Sequence, residues 1–245
     1  LCFKEFNRTY MKNVASCFLF NFIYFAIIVC VFFVSGITLS GLHSATIGIG
    51  ILFGITFIVA VFCYMKAMET GPFSFSVLFN SSGILIPVII GFLFWNEPVK
   101  MLQIAGLCLL LVTFYLGSAS SSGEQKSVGM RWILFCLASF VGNGMIMTYM
   151  KWHQMIIPGQ EMKELLTISF GTAAILSFIL FVISSLSRKQ EVFKLNKLHL
   201  LILILLTGIV TAYGNQLIVY LASRIPSVIQ FPAINGGVVI ISTLA

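Results

Sequence analysis

A chain of 245 residues that is 59% hydrophobic and only 9% charged, with a mean hydropathy of +1.07, cannot clothe a water-soluble surface, since soluble domains carry roughly 25% charged residues. Its net charge of +7 comes from fourteen Lys and Arg against seven Glu and no Asp; basic residues of membrane proteins collect in cytoplasmic loops, so the surplus calls for no nucleic-acid partner. The six cysteines (Cys2, Cys17, Cys30, Cys63, Cys108 and Cys136) lie scattered without a C-x-x-C pair and read as small apolar residues rather than metal ligands or disulfide partners.

A bilayer core takes roughly 20 apolar residues per helix. Cutting the chain at charges and at Gly/Ser/Pro clusters predicts an all-α membrane protein with eight spans. The chain opens with Leu1 and ends at Ala245 inside an apolar run, which reads as truncation at both ends. The first span is 16–36. No charged residue separates Asn13 from Tyr64, a stretch too long for one helix, and Ser35–Ser44 (SGITLSGLHS) supplies the turn into the second span, 45–66. Glu69-Thr70-Gly71-Pro72 leads to 73–95, and Asn96-Glu97-Pro98-Val99-Lys100 leads to 101–119. After the polar loop Ser118–Met130 come 131–151 and 165–186; after the loop Ser187–Lys197 come 199–222 and 226–245. No loop has the size of a soluble domain, so whatever the protein does is done within the membrane. Ten of the fourteen basic residues fall on alternate loops, on the side of Lys4, Arg8 and Lys12. The positive-inside rule puts that side in the cytoplasm of a multi-pass plasma-membrane protein.

The sequence also resembles itself. ETGPFSFSVLFNSSG aligns with ASRIPSVIQFPAINGG at a shift of 154, which places Pro72 on Pro226, Ser81 on Asn235 and Gly83 on Gly237. Lys4 and Lys151 end corresponding helices, and five crossings separate them. An odd number of crossings inverts one copy relative to the other, the architecture of many secondary transporters. The expected organisation is an inverted repeat of five transmembrane helices, with one copy in 1–119 and the other in 131–245.

The block Tyr64-Met-Lys-Ala-Met-Glu-Thr-Gly-Pro72-Phe-Ser, the helix end Phe94-Trp95-Asn96-Glu97-Pro98 and the following Gln103-Ile-Ala-Gly106-Leu resemble the drug/metabolite transporter superfamily, specifically its EamA-type ten-helix members. The resemblance implies that the chain covers nearly the whole family fold, lacking most of the first helix and all of the last. It also implies a transporter. The counterpart of Glu97 falls near position 251, beyond the chain, and similar proteins usually keep the opposite loops cytoplasmic.

Catalysis has no visible equipment. No Glu lies mid-span, and the three His (His43, His153 and His199) are far apart at span ends, without ligand spacing. G-x-S-x-G and phosphate-binding loops are missing, so the chain reads as a non-enzyme with no cofactor and no metal.

What the spans do contain is uncharged polarity. Asn80, Ser81 and Ser82 precede Gly83 and Pro87 in the third span, and Gln230, Pro232, Asn235, Gly236 and Gly237 occupy the matching place in the second copy. Asn143, and Tyr213 with Asn215 and Gln216, interrupt two further helices. A polar side chain in lipid costs several kcal/mol unless it is paired, and Pro and Gly beside it free backbone carbonyls. Such breaks at equivalent depths point to a substrate pathway. The same residue types also glue helices by close packing and hydrogen bonding. Lys4 and Lys151 either snorkel to the headgroups or gate the pathway. Glu97 is either an acid at the N-terminus of the following helix or part of a gate.

The expected function is secondary transport, by alternating access, of a small neutral or zwitterionic metabolite similar to an amino acid. The spans lack the mid-bilayer carboxylate that cationic-drug export generally uses. The partners are then the small-molecule substrate and the lipid bilayer. A membrane-embedded enzyme acting on a lipid-linked substrate and a non-transporting membrane scaffold are the alternatives.

Overall fold

The computed structural model describes residues 14–97, 101, 104–106, 108–109, 112, 129–188 and 198–244. Every regular element among them is an α-helix. The long ones are α1 (Val14–Val34), α2 (Ser44–Thr70), α3 (Phe73–Ser82), α4 (Leu85–Phe94), α5 (Met130–Ile156), α6 (Met162–Arg188), α7 (Leu198–Ala222) and α8 (Ser227–Leu244). Among the described residues, six stretches are long and apolar enough to cross a membrane: Ala15–Val34, Ser44–Thr70, Phe75–Phe94, Met130–Ile156, Met162–Leu186 and Ile204–Ala222. Their outer faces are apolar, with Leu93, Phe94, Ile175 and Val210 all largely exposed, a surface that lipid solvates and water does not. This is a multi-pass membrane protein.

The observed helices follow the expected spans closely, with three differences. The helix of 73–95 is broken into α3 and α4 at Gly83-Ile84. Helix α2 runs on past 66 to Thr70, where the Lys66 ammonium pairs with the Glu69 carboxylate one turn later at 2.6 Å, and α5 runs on past 151 to Ile156. Most of the span at 101–119 lies outside the described residues.

By their contacts the helices form two compact units, and each unit draws on both halves of the chain: Leu1–Ile58 with Gly159–Ile218, and Val59–Pro158 with Val219–Ala245.

In the first unit α1 lies along α6. Phe25, Phe53, Phe57 and Phe170 meet at ring-centroid distances of 5.3 to 6.1 Å and tie α1, α2 and α6 into one aromatic core. Gly54 lets α2 approach the α6 backbone: a Cβ there would stand 2.5 Å from the Ser169 carbonyl oxygen. Tyr24 in α1 donates to the Thr211 hydroxyl in α7 at 2.5 Å. The start of α2 is closed by a carboxylate from far along the chain. Glu161 accepts from the His43 backbone N–H at 3.1 and 3.2 Å and from the Thr46 hydroxyl. Glu161 holds a positive φ of 49° to do so. Two residues on, Lys163 donates to the Ser35 carbonyl at 3.3 Å.

In the second unit α5 packs against α3 and α4, and α4 packs against α8. Gly142 meets Ala60 of α2, and Gly144 meets the Gly83 carbonyl and Ile86, so these helices touch backbone to backbone as small-residue membrane interfaces do. Trp132 is seated against Gly71, which has no side chain to obstruct the ring, and its indole N–H donates to the Ser76 hydroxyl at 2.9 Å. Phe75 and Phe79 present their rings nearly perpendicular to it.

Gly54→Val forces the α2–α6 contact apart and lowers stability by about 1–3 kcal/mol or more. Gly48→Ala, in the same helix with nothing within 4 Å of the added carbon, leaves stability unchanged. Unfolding of both variants in detergent, followed by thermal denaturation, checks the pair.

Candidate functional site

Two polar features are built into the second unit. The first is the break between α3 and α4. Pro87 has no N–H for the Gly83 carbonyl, which accepts instead from Ile86 N–H at 3.0 Å. Gly83 N–H bonds to Asn80 O at 3.2 Å and Ile84 N–H to Ser81 O at 3.5 Å, so the chain tightens into i→i+3 bonds across the break. Helix α5 supplies the remaining partners. Ser139 donates its hydroxyl proton to Asn80 Oδ1 at 2.7 Å, and Asn143 donates its amide to Asn80 O at 2.9 Å. The structure thus brings Asn80 and Asn143 together and adds Ser139, which the sequence reading did not single out; its place one turn before Asn143, on the same helix face, was the available signal. Ser82 bonds back to Leu78 O at 2.8 Å, and Ser81 is half-buried.

The second feature is an ion pair. Lys151 Nζ stands 3.0 Å from Glu97 Oε1, with the two side chains only 6% and 10% exposed. The ammonium also donates to the Ile225 carbonyl at 3.0 Å. Glu97 Oε2 accepts from Ser227 N–H, at the first residue of α8, at 2.7 Å, and Ser227 Oγ lies 3.4 Å from Oε1. The carboxylate therefore sits between a buried cation and the positive end of a helix dipole. Its approach is shaped by the backbone. Glu97 N–H and Trp95 N–H both bond to Gly91 O, Asn96 takes a positive φ of 49°, and a Cβ on Gly91 would stand 2.6 Å from Glu97 Oε2. Glu97 thus serves the N-terminus of α8. Lys151 turns inward to it instead of snorkelling.

The other sequence-derived candidates lie as follows. Gln230 is buried in the first turns of α8, and Pro232 is inside that helix. Gly237 is half-buried; Asn235 and Gly236 lie within α8, while the Asn235 side chain and Lys4 are outside what the structure describes. Tyr213, Asn215 and Gln216 belong to the first unit. There Asn215 bonds back to Thr211 O at 2.9 Å, and Gln216 is half-buried. Tyr213 is exposed on an apolar cavity of about 530 Å³ whose walls include Phe22, Ala26, Cys30 and Ile209. No group of three or more His, Cys, Asp or Glu that could hold a metal ion occurs among the described residues.

Comparison of the chain with protein-family profiles, with curated proteins and with solved structures yields no match.

Removing one partner of a buried pair strands the other charge. Lys151→Met lowers stability by about 3–5 kcal/mol, and Glu97→Gln added to it recovers a substantial part, because the remaining partner is then neutral. Denaturant unfolding of the two variants and the parent in mixed micelles measures the difference.

Proposed function

We propose that the protein is a secondary transporter that carries a small neutral or zwitterionic metabolite, similar to an amino acid, across the plasma membrane by alternating access. The observation that carries this reading is a membrane-spanning helix broken mid-course at Gly83-Ile84, with Asn80, Ser139 and Asn143 gathered at the break. Discontinuous helices with freed backbone groups are where carriers of this kind bind their substrates.

The inverted repeat in 1–119 and 131–245 is part of the same proposal. It is supported by the way the halves contribute to packing. From one half, α1 and the first part of α2 enter the first unit, and α3 and α4 enter the second. From the other half, α6 and most of α7 enter the first unit, and α8 enters the second. These elements follow the same order in both halves, while α5, which opens the second half, lies in the second unit. The EamA-type resemblance, carried by Tyr64–Ser74 and Phe94–Pro98, points in the same direction.

One observation favours a second reading. The hydrogen bonds at Asn80 are all internal, as a non-transporting membrane scaffold also requires. Flux separates the two. In proteoliposomes containing the purified protein, saturable uptake of radiolabelled neutral amino acids is expected, with tetraphenylphosphonium not carried. Transport of the lipophilic cation but not of amino acids sinks the substrate assignment, and absence of any saturable flux favours the scaffold.

A further inference from the structure

We propose that Glu97 is a tethered stand-in for a carboxylate-bearing solute, and that such a solute opens the second unit by replacing Glu97 on Lys151 and on the N-terminus of α8. The inference rests on the carrier reading and narrows its substrate to one with a free carboxylate, which makes it a zwitterion.

The site is built for a carboxylate. A nearly inaccessible ammonium stands on one side at 3.0 Å, the Ser227 backbone N–H on the other at 2.7 Å, and the Ser227 hydroxyl at 3.4 Å. The missing side chain of Gly91 leaves room for one oxygen of the group. These donors are held by α5 and α8. The carboxylate they receive is not: it arrives from the turn 95–97, whose Asn96 holds a positive φ to deliver it. The receiving groups thus sit on helices and the occupant on a loop, the division expected where the occupant exchanges.

Charge then selects what can exchange. If the turn swings out with nothing in its place, Lys151 is left buried with only the Ile225 carbonyl, a state disfavoured roughly 10²- to 10³-fold. A solute carboxylate cancels that penalty because it presents the same charge and the same two acceptor oxygens. A neutral or cationic solute cannot. A ligand shifts a conformational equilibrium only by its differential affinity for the two states, and here that difference is a replaced counter-ion. The swap breaks no covalent bond and leaves the net charge of the site unchanged.

Chemical rescue tests the site without reference to transport. Glu97→Ala removes the built-in carboxylate, and sodium acetate is the probe, compared with sodium chloride at equal ionic strength. Acetate is expected to raise the melting temperature of Glu97→Ala in detergent by several degrees more than chloride does, saturating in the millimolar range. The parent and Glu97→Ala/Lys151→Met are expected to respond alike to the two salts. An equal response of Glu97→Ala to both salts, or an acetate response in the double variant as large as in the single one, overturns the proposal. Should Glu97→Ala not survive purification, Glu97→Gln takes its place, with acylation of Lys151 read by peptide mass spectrometry. Acetate is then expected to slow modification of Lys151 about threefold or more while leaving Lys66 unaffected, and no such protection overturns the proposal. Rescue by acetate without saturable flux in proteoliposomes removes the carrier reading and leaves the carboxylate site; flux of a zwitterion without rescue does the reverse.

Discussion

Lipid offers no hydrogen bonds, and that single constraint governs this chain. Each backbone N–H or carbonyl released from a helix, and each polar side chain within a span, needs a partner made of protein. The break at Gly83-Ile84 shows how this is met. Tight i→i+3 bonds absorb part of the released backbone, Asn143 of α5 donates to the Asn80 carbonyl, and Ser139 of α5 satisfies the Asn80 side chain. Lys151 meets the same demand through Glu97 and Ile225 O. At these two places in the second unit, polarity is satisfied jointly by more than one helix.

Close approach is the other half of the solution. Without a hydrophobic driving force between helices in lipid, association depends on packing and on interhelical hydrogen bonds. Gly54, Gly142 and Gly144 bring backbones into contact, while Gly71 makes room for Trp132 and Gly91 for Glu97. Large aromatics then fill the wider gaps, as Phe25, Phe53, Phe57 and Phe170 do in the first unit. The polar contacts are short because the glycines permit it.

The helical course was largely legible in the sequence, because span length and hydropathy are local properties. The boundaries that moved did so for identifiable reasons. Cutting at Lys66 ended the second span early, whereas the Lys66–Glu69 pair lies along the helix and lets it continue to Thr70. The interruption near Asn80 was visible from Gly83 and Pro87. Its partners were only half visible: Asn143 stood out as a polar residue between glycines, but Ser139 looked like any serine in a membrane helix. The pairing of Glu97 with Lys151 was not legible at all. Each residue reads alone as a charge at a helix end, and nothing local joins positions 54 apart or directs a carboxylate to Ser227 across 130 residues.

Among the described residues, the two non-glycine ones with positive φ, Asn96 and Glu161, share a setting: each stands in a turn that delivers a carboxylate to the start of a helix distant in sequence. The consequence lies in biogenesis. Synthesis proceeds from the N-terminus, so α2 emerges from the ribosome 118 residues ahead of the Glu161 that completes its first turn, and Glu97 must wait for Ser227. The start of α2 therefore cannot be finished during its own insertion, whereas α8 finds its carboxylate already made. The first turn of α2 is sealed only after the later segment arrives, and a nascent chain halted before residue 161 is left with an open end on α2.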